Sequence, residues 1–436
     1  MVQRVSKFVK YLPHFGWLPT VLTVRNPDYK MYDAQLLKDI PLQTEIIRTG
    51  TFEPSKAINL LRARLARAKP PLSKNQTSLI EKNGFDPTPR QSLASKINNF
   101  IFMPDNRVGW LPFASLAMLK ELKKQKFDII FSTSPPFSVH LVGLVAKSIF
   151  KKPWVVDLRD LWISNPYIKP PTRVHKCIAR HIEHKILKSA DKIITISEPF
   201  SNDLCRAYPD LPPEKYEVIL NGYDADDFAL KDIPSSNDRM SIGYVGSLHQ
   251  GRGRTPYYFL MALVDAKKEI PDLKDQLNVF FVGSIDSANR RIMHEIILKF
   301  DLKDMVHSID YIPHHQAISY MKKLDVLLFI NAKSHYSACK GNMSGKIYEY
   351  LATGKPTLVL TEEGSIREVV RKSGCGVVVD YQDIKGIKRE ITNYYNRFKE
   401  GHLKVEPNWE FISQFERKTL TQQLAHTLDE LTQNLG

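Results

Sequence analysis

Two segments of this chain have the residue types and spacing for chemistry on a charged substrate. Tyr244-Val-Gly-Ser-Leu248 ends an apolar run at a glycine, where bare backbone can approach a phosphate closely. Gly246 and Ser247 stand at that turn, and Arg252 and Arg254 follow at a distance suited to a diphosphate. A guanidinium fork matches phosphate geometry, and its charge stabilises a departing anion. The second segment is Trp154-Val-Val-Asp-Leu158 with Arg159 and Asp160 behind it. Asp160 is the candidate to bind or deprotonate a hydroxyl nucleophile. Asp157 is read as a partner of Arg159 that holds the loop, and His140 can reach the same place from the first turn of a helix. Solvated loop arginines and a packing histidine are the plain alternatives for these side chains.

Two patterns of metal-ligand type carry less. Asp224-Ala-Asp226 has the D-x-D form but follows Asn221-Gly222, where turn chemistry accounts for it. His181 and His184, with His175 upstream, share a helix but have no acidic or cysteine ligand beside them. No metal site is expected. Cys177, Cys205, Cys339 and Cys375 lie far apart with no C-x-x-C pair, which argues against a zinc or disulfide framework.

These side chains need a scaffold, and 436 residues suffice for two domains. A 43% hydrophobic and 25% charged composition is ordinary for a globular chain. No apolar run reaches the ~18 residues of a membrane span. The segment after Met1 has no apolar leader, so the cytoplasm is the expected compartment. The net charge of +15 is uneven. Residues 1–230 hold 34 Lys and Arg against 22 Asp and Glu, or +12, and residues 231–436 hold 28 against 25, or +3. With no nucleic-acid motif present, the basic half points to an anionic membrane surface rather than to nucleic acid.

Short apolar strands alternate with amphipathic helices, the pattern of parallel α/β layers. Strands are expected at 128–131, 154–158, 192–196 and 217–220, with helices at 138–150 and 174–189. A polar stretch at 231–239 breaks the rhythm, which restarts at 241–245 and continues through 278–282, 326–330 and 356–360 to 376–379. Two doubly wound, Rossmann-like units facing a cleft follow from this. Their expected bounds are 1–232 and 240–395, with 396–436 as a helical segment packing back on the first. Residues 45–99 fit the rhythm poorly and carry a basic cluster at Arg62, Arg64, Arg67 and Lys69. The chain opens on a helical face of Val5, Phe8, Val9 and Leu12, followed by a strand at 20–24. The strand and glycine turn that ordinarily open such a domain are missing, through either a shortened start or an atypical opening.

Several loops together resemble the family 4 glycosyltransferases of the GT-B fold, of bacterial surface-polysaccharide type. The segments are Ser132-Thr-Ser-Pro-Pro136, Val156-Asp-Leu-Arg-Asp-Leu-Trp162, Ala190-Asp-Lys-Ile-Ile-Thr-Ile-Ser-Glu198, Leu220-Asn-Gly-Tyr-Asp224, Tyr244-Val-Gly-Ser-Leu248 and Lys346-Ile-Tyr-Glu-Tyr-Leu-Ala-Thr-Gly-Lys-Pro356. The family commonly carries two glutamates eight positions apart; Glu349 matches the second, and Gly341 stands at the first. Ser344 and Lys346 fit the Ser-x-Lys-x-x-Glu-Tyr variant. Gly364-Ser-Ile-Arg-Glu368 resembles the glycine loop beside the donor phosphates, and a histidine is common where Arg159 falls.

The resemblance implies a glycosyltransferase that takes a sugar from a nucleotide-sugar donor. Glu349 would hold the ribose hydroxyls and Lys346 the diphosphate, with Ser344, Gly364, Gly246, Ser247 and the arginines around it. The acceptor, a glycan or lipid-linked sugar, would lie against Asp160, Arg159 and His140. Retention, independence of metals, no cofactor beyond the donor substrate, and peripheral attachment to the inner membrane face complete the expectation. A nucleotide-sugar epimerase of the same fold and a non-catalytic subunit are the alternatives.

Overall fold

In the computed structural model, the structure describes residues 2–26, 33–52, 103–165, 168, 170–229, 238–250, 253–331, 344–362 and 364–433. The cluster Arg62 to Lys69, together with Arg252, Cys339 and Gly341, lies outside the described residues.

The first domain opens with helix α1 (Val2–Tyr11), whose Phe8 and Val9 are buried, with buried Leu12 just after it. Strands β1 (Val21–Val24) and β2 (Ile46–Thr49) form a parallel pair. Helix α2 (Leu111–Lys124) leads to β3 (Ile130–Ser134), then α3 (Ser138–Phe150), β4 (Trp154–Leu158), α4 (Arg173–Ser189), β5 (Lys192–Thr195), α5 (Glu198–Ala207) and β6 (Tyr216–Val218). Strands β3 to β6 make a parallel sheet in sequential order. Every residue of β4 is buried, as an apolar run at the centre of a parallel sheet requires. Among the described residues no strand joins β1 to β3. A cavity of about 180 Å³ is lined by residues of both, Leu22 and Phe131 among them.

A short helix, α6 (Ala225–Phe228), ends this domain. The second is a six-stranded parallel sheet ordered β12-β11-β10-β7-β8-β9. Its strands are β7 (Met240–Val245), β8 (Leu277–Val282), β9 (Val306–Ile309), β10 (Val326–Ile330), β11 (Thr357–Leu360) and β12 (Gly376–Val379). The helices between them are α7 (Tyr257–Glu269), α8 (Ser287–Lys299), α9 (His314–Lys323), α10 (Gly345–Ala352) and α11 (Ser365–Ser373), with α12 (Ile384–Lys399) following. Order reverses beside β7, the topological switch point where open sheets bind ligands at their carboxyl ends. Hydrophobic clusters cover both faces of this sheet.

The last helix, α13 (Arg417–Gln433), returns to the first domain. Its Leu420, Leu424 and Leu428 share one cluster with Phe8 of α1 and with Val155 and Ile194 of the first sheet. Trp17 Nε1 donates to Asp429 at 2.9 Å. The return is fixed where the Tyr223 amide donates to the Phe415 carbonyl (3.1 Å) and the Arg417 amide to the Tyr223 carbonyl (2.8 Å). Gly222 permits that approach, because a Cβ there would lie 1.8 Å from the Phe415 carbonyl oxygen.

Candidate donor and acceptor site

The carboxyl end of β7 is built for close approach. Tyr350 clamps Val245, accepting from its amide at 2.8 Å and donating to its carbonyl at 3.2 Å. Gly246 follows at φ +148°, a conformation that side chains rarely adopt. Lys346 fills the space a side chain would take, since a Cβ on Gly246 would sit 1.7 Å from the Lys346 Nζ. That Nζ lies 5.1 Å above the Tyr244 ring and donates to the Tyr244 hydroxyl at 3.4 Å. The Tyr244 hydroxyl in turn donates to the Ser247 carbonyl at 2.9 Å.

Helix α10 supplies two of these groups by its period. Ile347, Tyr348, Tyr350 and Leu351 are buried in the core. Lys346 and Glu349, three residues apart, share another face. Ser344 caps the helix start in an extended conformation, its carbonyl accepting from the Ile347 amide at 3.1 Å. Burial lowers the Lys346 pKa, and repulsion from Arg254 adds to that. Arg254 Nε is itself buried with no hydrogen-bond partner among the described residues. Two cations thus stand beside a bare backbone turn, a ready place for an anion. Gly364, at φ +155°, caps the start of α11.

Glu349 is 8% exposed, and its Oε1 accepts from His314 Nε2 at 3.0 Å. Burial opposes the charge on each, yet the hydrogen bond and mutual attraction win. Glu349 is held below the usual carboxylate range and His314 above the usual imidazole range. His314 also spans the domains. Its amide donates to Asp33 at 3.1 Å, and its Nδ1 lies 3.8 Å from Asp227.

The acceptor side differs from the sequence expectation in two places. Asp157 pairs with Arg4 of α1, not with Arg159: Arg4 Nη2 lies 3.0 Å from its Oδ1, and Thr133 donates to its Oδ2 at 2.6 Å. Arg4 further donates to the carbonyls of Leu220 and Ile219. Arg159 instead folds back on the loop after β3, donating to the carbonyls of Ser134 (2.9 Å) and Pro135 (2.8 Å).

His140 is not brought to the cleft. It is buried, and its Nδ1 is 2.8 Å from the Ser132 hydroxyl, which also accepts from Trp154 Nε1 at 2.8 Å. With the hydroxyl proton given to Nδ1, the ring proton sits on Nε2, enclosed and without a partner among the described residues. Burial, helped by the Arg159 charge, pushes the His140 pKa down to about 3 despite Asp157. These are the contacts of a packing histidine. Asp160 follows β4 at the carboxyl end of the sheet and is partly exposed.

Against the cost of burial, hydrogen bonds from Lys10, Lys7 and Tyr11 hold Asp224 at about 2. Its side chain also accepts from the Asp226 amide, capping α6. His184 bonds Asp210 at 2.7 Å, and His175 bonds Thr172 at 2.7 Å.

Sequence reasoning passed over Arg4, His314 and Arg417. Arg417 is buried, and its Nη1 has no partner among the described residues. Burial and repulsion from Arg4 lower its pKa to about 9, against the pull of Glu349. None of the three stands in a linear motif.

Two parallel α/β domains, with cationic and acidic side chains at the switch point of the second, define the GT-B class of sugar-transfer proteins. Two family models agree: "Glycosyltransferase Family 4" matches residues 79–227 and "Glycosyl transferases group 1" matches residues 233–400. The chain belongs to the family 4 glycosyltransferases and is a glycosyltransferase. A curated relative, alpha-maltose-1-phosphate synthase of Mycolicibacterium smegmatis, is 23% identical over 123 residues, covering 26% of this chain and 32% of that protein. The chain thus matches about a third of that relative's length.

Among solved structures, a glycosyltransferase from Rickettsia africae aligns with a TM-score of 0.61 at 14% identity, over 99% of this chain and 95% of that one. Sucrose-phosphate synthase from Thermosynechococcus elongatus gives 0.60 at 16%, over 99% and 93%. The Anabaena protein HepE, in complex with UDP and glucose, gives 0.54 at 18%, over 73% and 81%. At these identities the likeness is one of fold.

Proposed function

We propose that this glycosyltransferase moves a sugar from a nucleoside-diphosphate donor to a glycan or lipid-linked acceptor in cell-surface polysaccharide biosynthesis. The observation that carries the donor half is the cationic pair Lys346 and Arg254 beside Gly246, with the Glu349 carboxylate one helical turn away. In this reading Glu349 accepts from the ribose diol, a task suited to a carboxylate. Ser344, Ser247 and the backbone at Gly246 and Gly364 line the diphosphate, with Arg252 as a further cation. Lys346 and Arg254 neutralise the charge that grows on the diphosphate as the glycosidic bond breaks.

Asp160 takes the acceptor hydroxyl on the first domain, and Arg159 shapes its loop. The sugar keeps its anomeric configuration, and side-chain cations serve where other enzymes use a metal. The +12 charge of residues 1–230 supports work beside an anionic inner membrane face. The Anabaena relative's UDP supports a uridine donor as the first to try.

The test is a thermal-shift panel of nucleoside diphosphates, followed by transfer assays with the matching nucleotide sugars, with and without EDTA. A stabilising diphosphate and product formation that survives EDTA are expected. No stabilisation by any diphosphate overturns the donor site. Epimerised donor in the absence of acceptor overturns the transfer.

A further inference from the structure

Helix α4 has two unlike halves. Its second half is fixed: Ala179, Glu183, Ile186 and Leu187 are buried. Glu183 accepts from the Tyr208 hydroxyl and from the Ile163 amide. Its first half stands in solvent. Of Arg173 to Arg180, all but His175 and Ala179 are exposed, including Val174 at 65% and Ile178 at 48%.

Val174, Cys177, Ile178 and His181 recur at spacings of three and four, so they form one stripe along the helix. Arg173, Lys176 and Arg180 run along one edge of it. No acidic residue occurs between Arg173 and Ile182. An exposed, mostly apolar stripe with cations along one edge and no carboxylate in that stretch fits an anionic bilayer, whose headgroups meet the charges while the apolar side chains enter the interface.

The placement adds a second reason. Helix α4 connects parallel strands β4 and β5, so it begins at the carboxyl end of the sheet, the end where Asp160 lies. We propose that the first two turns of α4 are the docking element for an anionic membrane surface, holding the acceptor side of the cleft against it. This deepens the reading of a lipid-linked acceptor and rests on it for its purpose, while the docking is measured without any substrate.

The experiment uses the full chain and phosphatidylcholine vesicles with or without phosphatidylglycerol at low salt, read by co-sedimentation. Wild-type protein is expected to bind only the anionic vesicles. The triple change R173E/K176E/R180E should weaken binding at least about a hundredfold, since each cation near such a surface contributes about a factor of five. V174S/I178S should weaken it about tenfold, through lost apolar insertion.

A control, K268E/K303E/K372E, reverses the same number of exposed cations on the second domain and should bind almost as wild type. An environment-sensitive thiol probe on exposed Cys177 should report a less polar setting on anionic vesicles, with probe-treated C177S protein as blank. Indifference of the wild type to anionic vesicles overturns the docking. So does a loss in the control equal to that in the α4 variants, or binding unchanged by both α4 variants. Nucleotide binding is measured in parallel: docking that fails while it persists sinks this inference alone, and the converse sinks the donor site alone.

Discussion

Glu349 Oε1 and His314 Nε2 are joined by a 3.0 Å hydrogen bond. His314 bonds the first domain through its amide as well, so the carboxylate offered to the donor is also tied to the opposite lobe. The pair has a defined pH window. The His314 pKa is raised in the folded state, so its contribution is complete below 6.5 and is lost as pH rises through the folded value. The Glu349 pKa is lowered, so its contribution is present above 4.5 and is lost as pH falls through the folded value. Thermal melts of wild type and H314A should therefore differ most between those values and converge as pH rises beyond the folded His314 value. A constant difference up to strongly alkaline pH contradicts this coupling.

Replacing Glu349 by Gln keeps the shape and removes the charge. Hydrogen bonds to a charged group are worth about 1.5–3 kcal/mol, so nucleoside diphosphate affinity should fall about ten- to hundredfold by calorimetry. A deoxyribose nucleotide that loses as much on wild type and little more on the variant would place the effect at the diol.

Gly246 to Ala tests the packing of the turn. The new Cβ would collide with Lys346 at 1.7 Å, and φ of +148° adds backbone strain. The melting temperature should drop and diphosphate binding should vanish together. K346M, which relieves a buried charge, should lose binding while the melting temperature holds or rises. Separation of the two signatures checks that Lys346 serves the ligand rather than the fold.

The Arg4–Asp157 pair is buried, and removal of one partner leaves the other charge uncompensated. R4M is expected to cost about 3–5 kcal/mol in denaturant melts, while R4M/D157L should recover much of that. Equal destabilisation by the single and double changes would contradict the pairing.

Gly222 to Ala places a Cβ 1.8 Å from the Phe415 carbonyl oxygen, which must then retreat. A loss of about 1–3 kcal/mol is expected, the range for overpacking. Protection of the Tyr223 and Arg417 amides from hydrogen exchange should fall along with it.

Strong apolar runs made the two sheets legible from sequence. Trp154–Leu158 and Val326–Ile330 are strands as expected, because central parallel strands are apolar on both faces. The expected strand at 128–131 lies instead at Ile130–Ser134, running into polar residues. Ser132 is satisfied there by Trp154 and His140, and Thr133 by Asp157, partners that no local pattern reveals. Ile46–Thr49 and Val306–Ile309 went unread, being four-residue strands each with an exposed position. In the site, α10 and the Gly246 turn were legible because their residues are neighbours in sequence. Arg4 and His314 meet their partners 153 and 35 residues away, and only the fold joins them.

The polypeptide passes from the first domain to the second before β7 and comes back at α13, and the Tyr223–Glu416 bridge binds the outgoing and returning stretches side by side. Two lobes bound along such a seam turn about it like leaves on a pin, with the His314–Asp33 bond as a latch between them. Rotation about the seam changes the gap at its far rim most and at the pin least. Reporter pairs across the lobes should therefore show ligand-driven changes that grow with distance from Tyr223, with sliding of one lobe past the other suppressed.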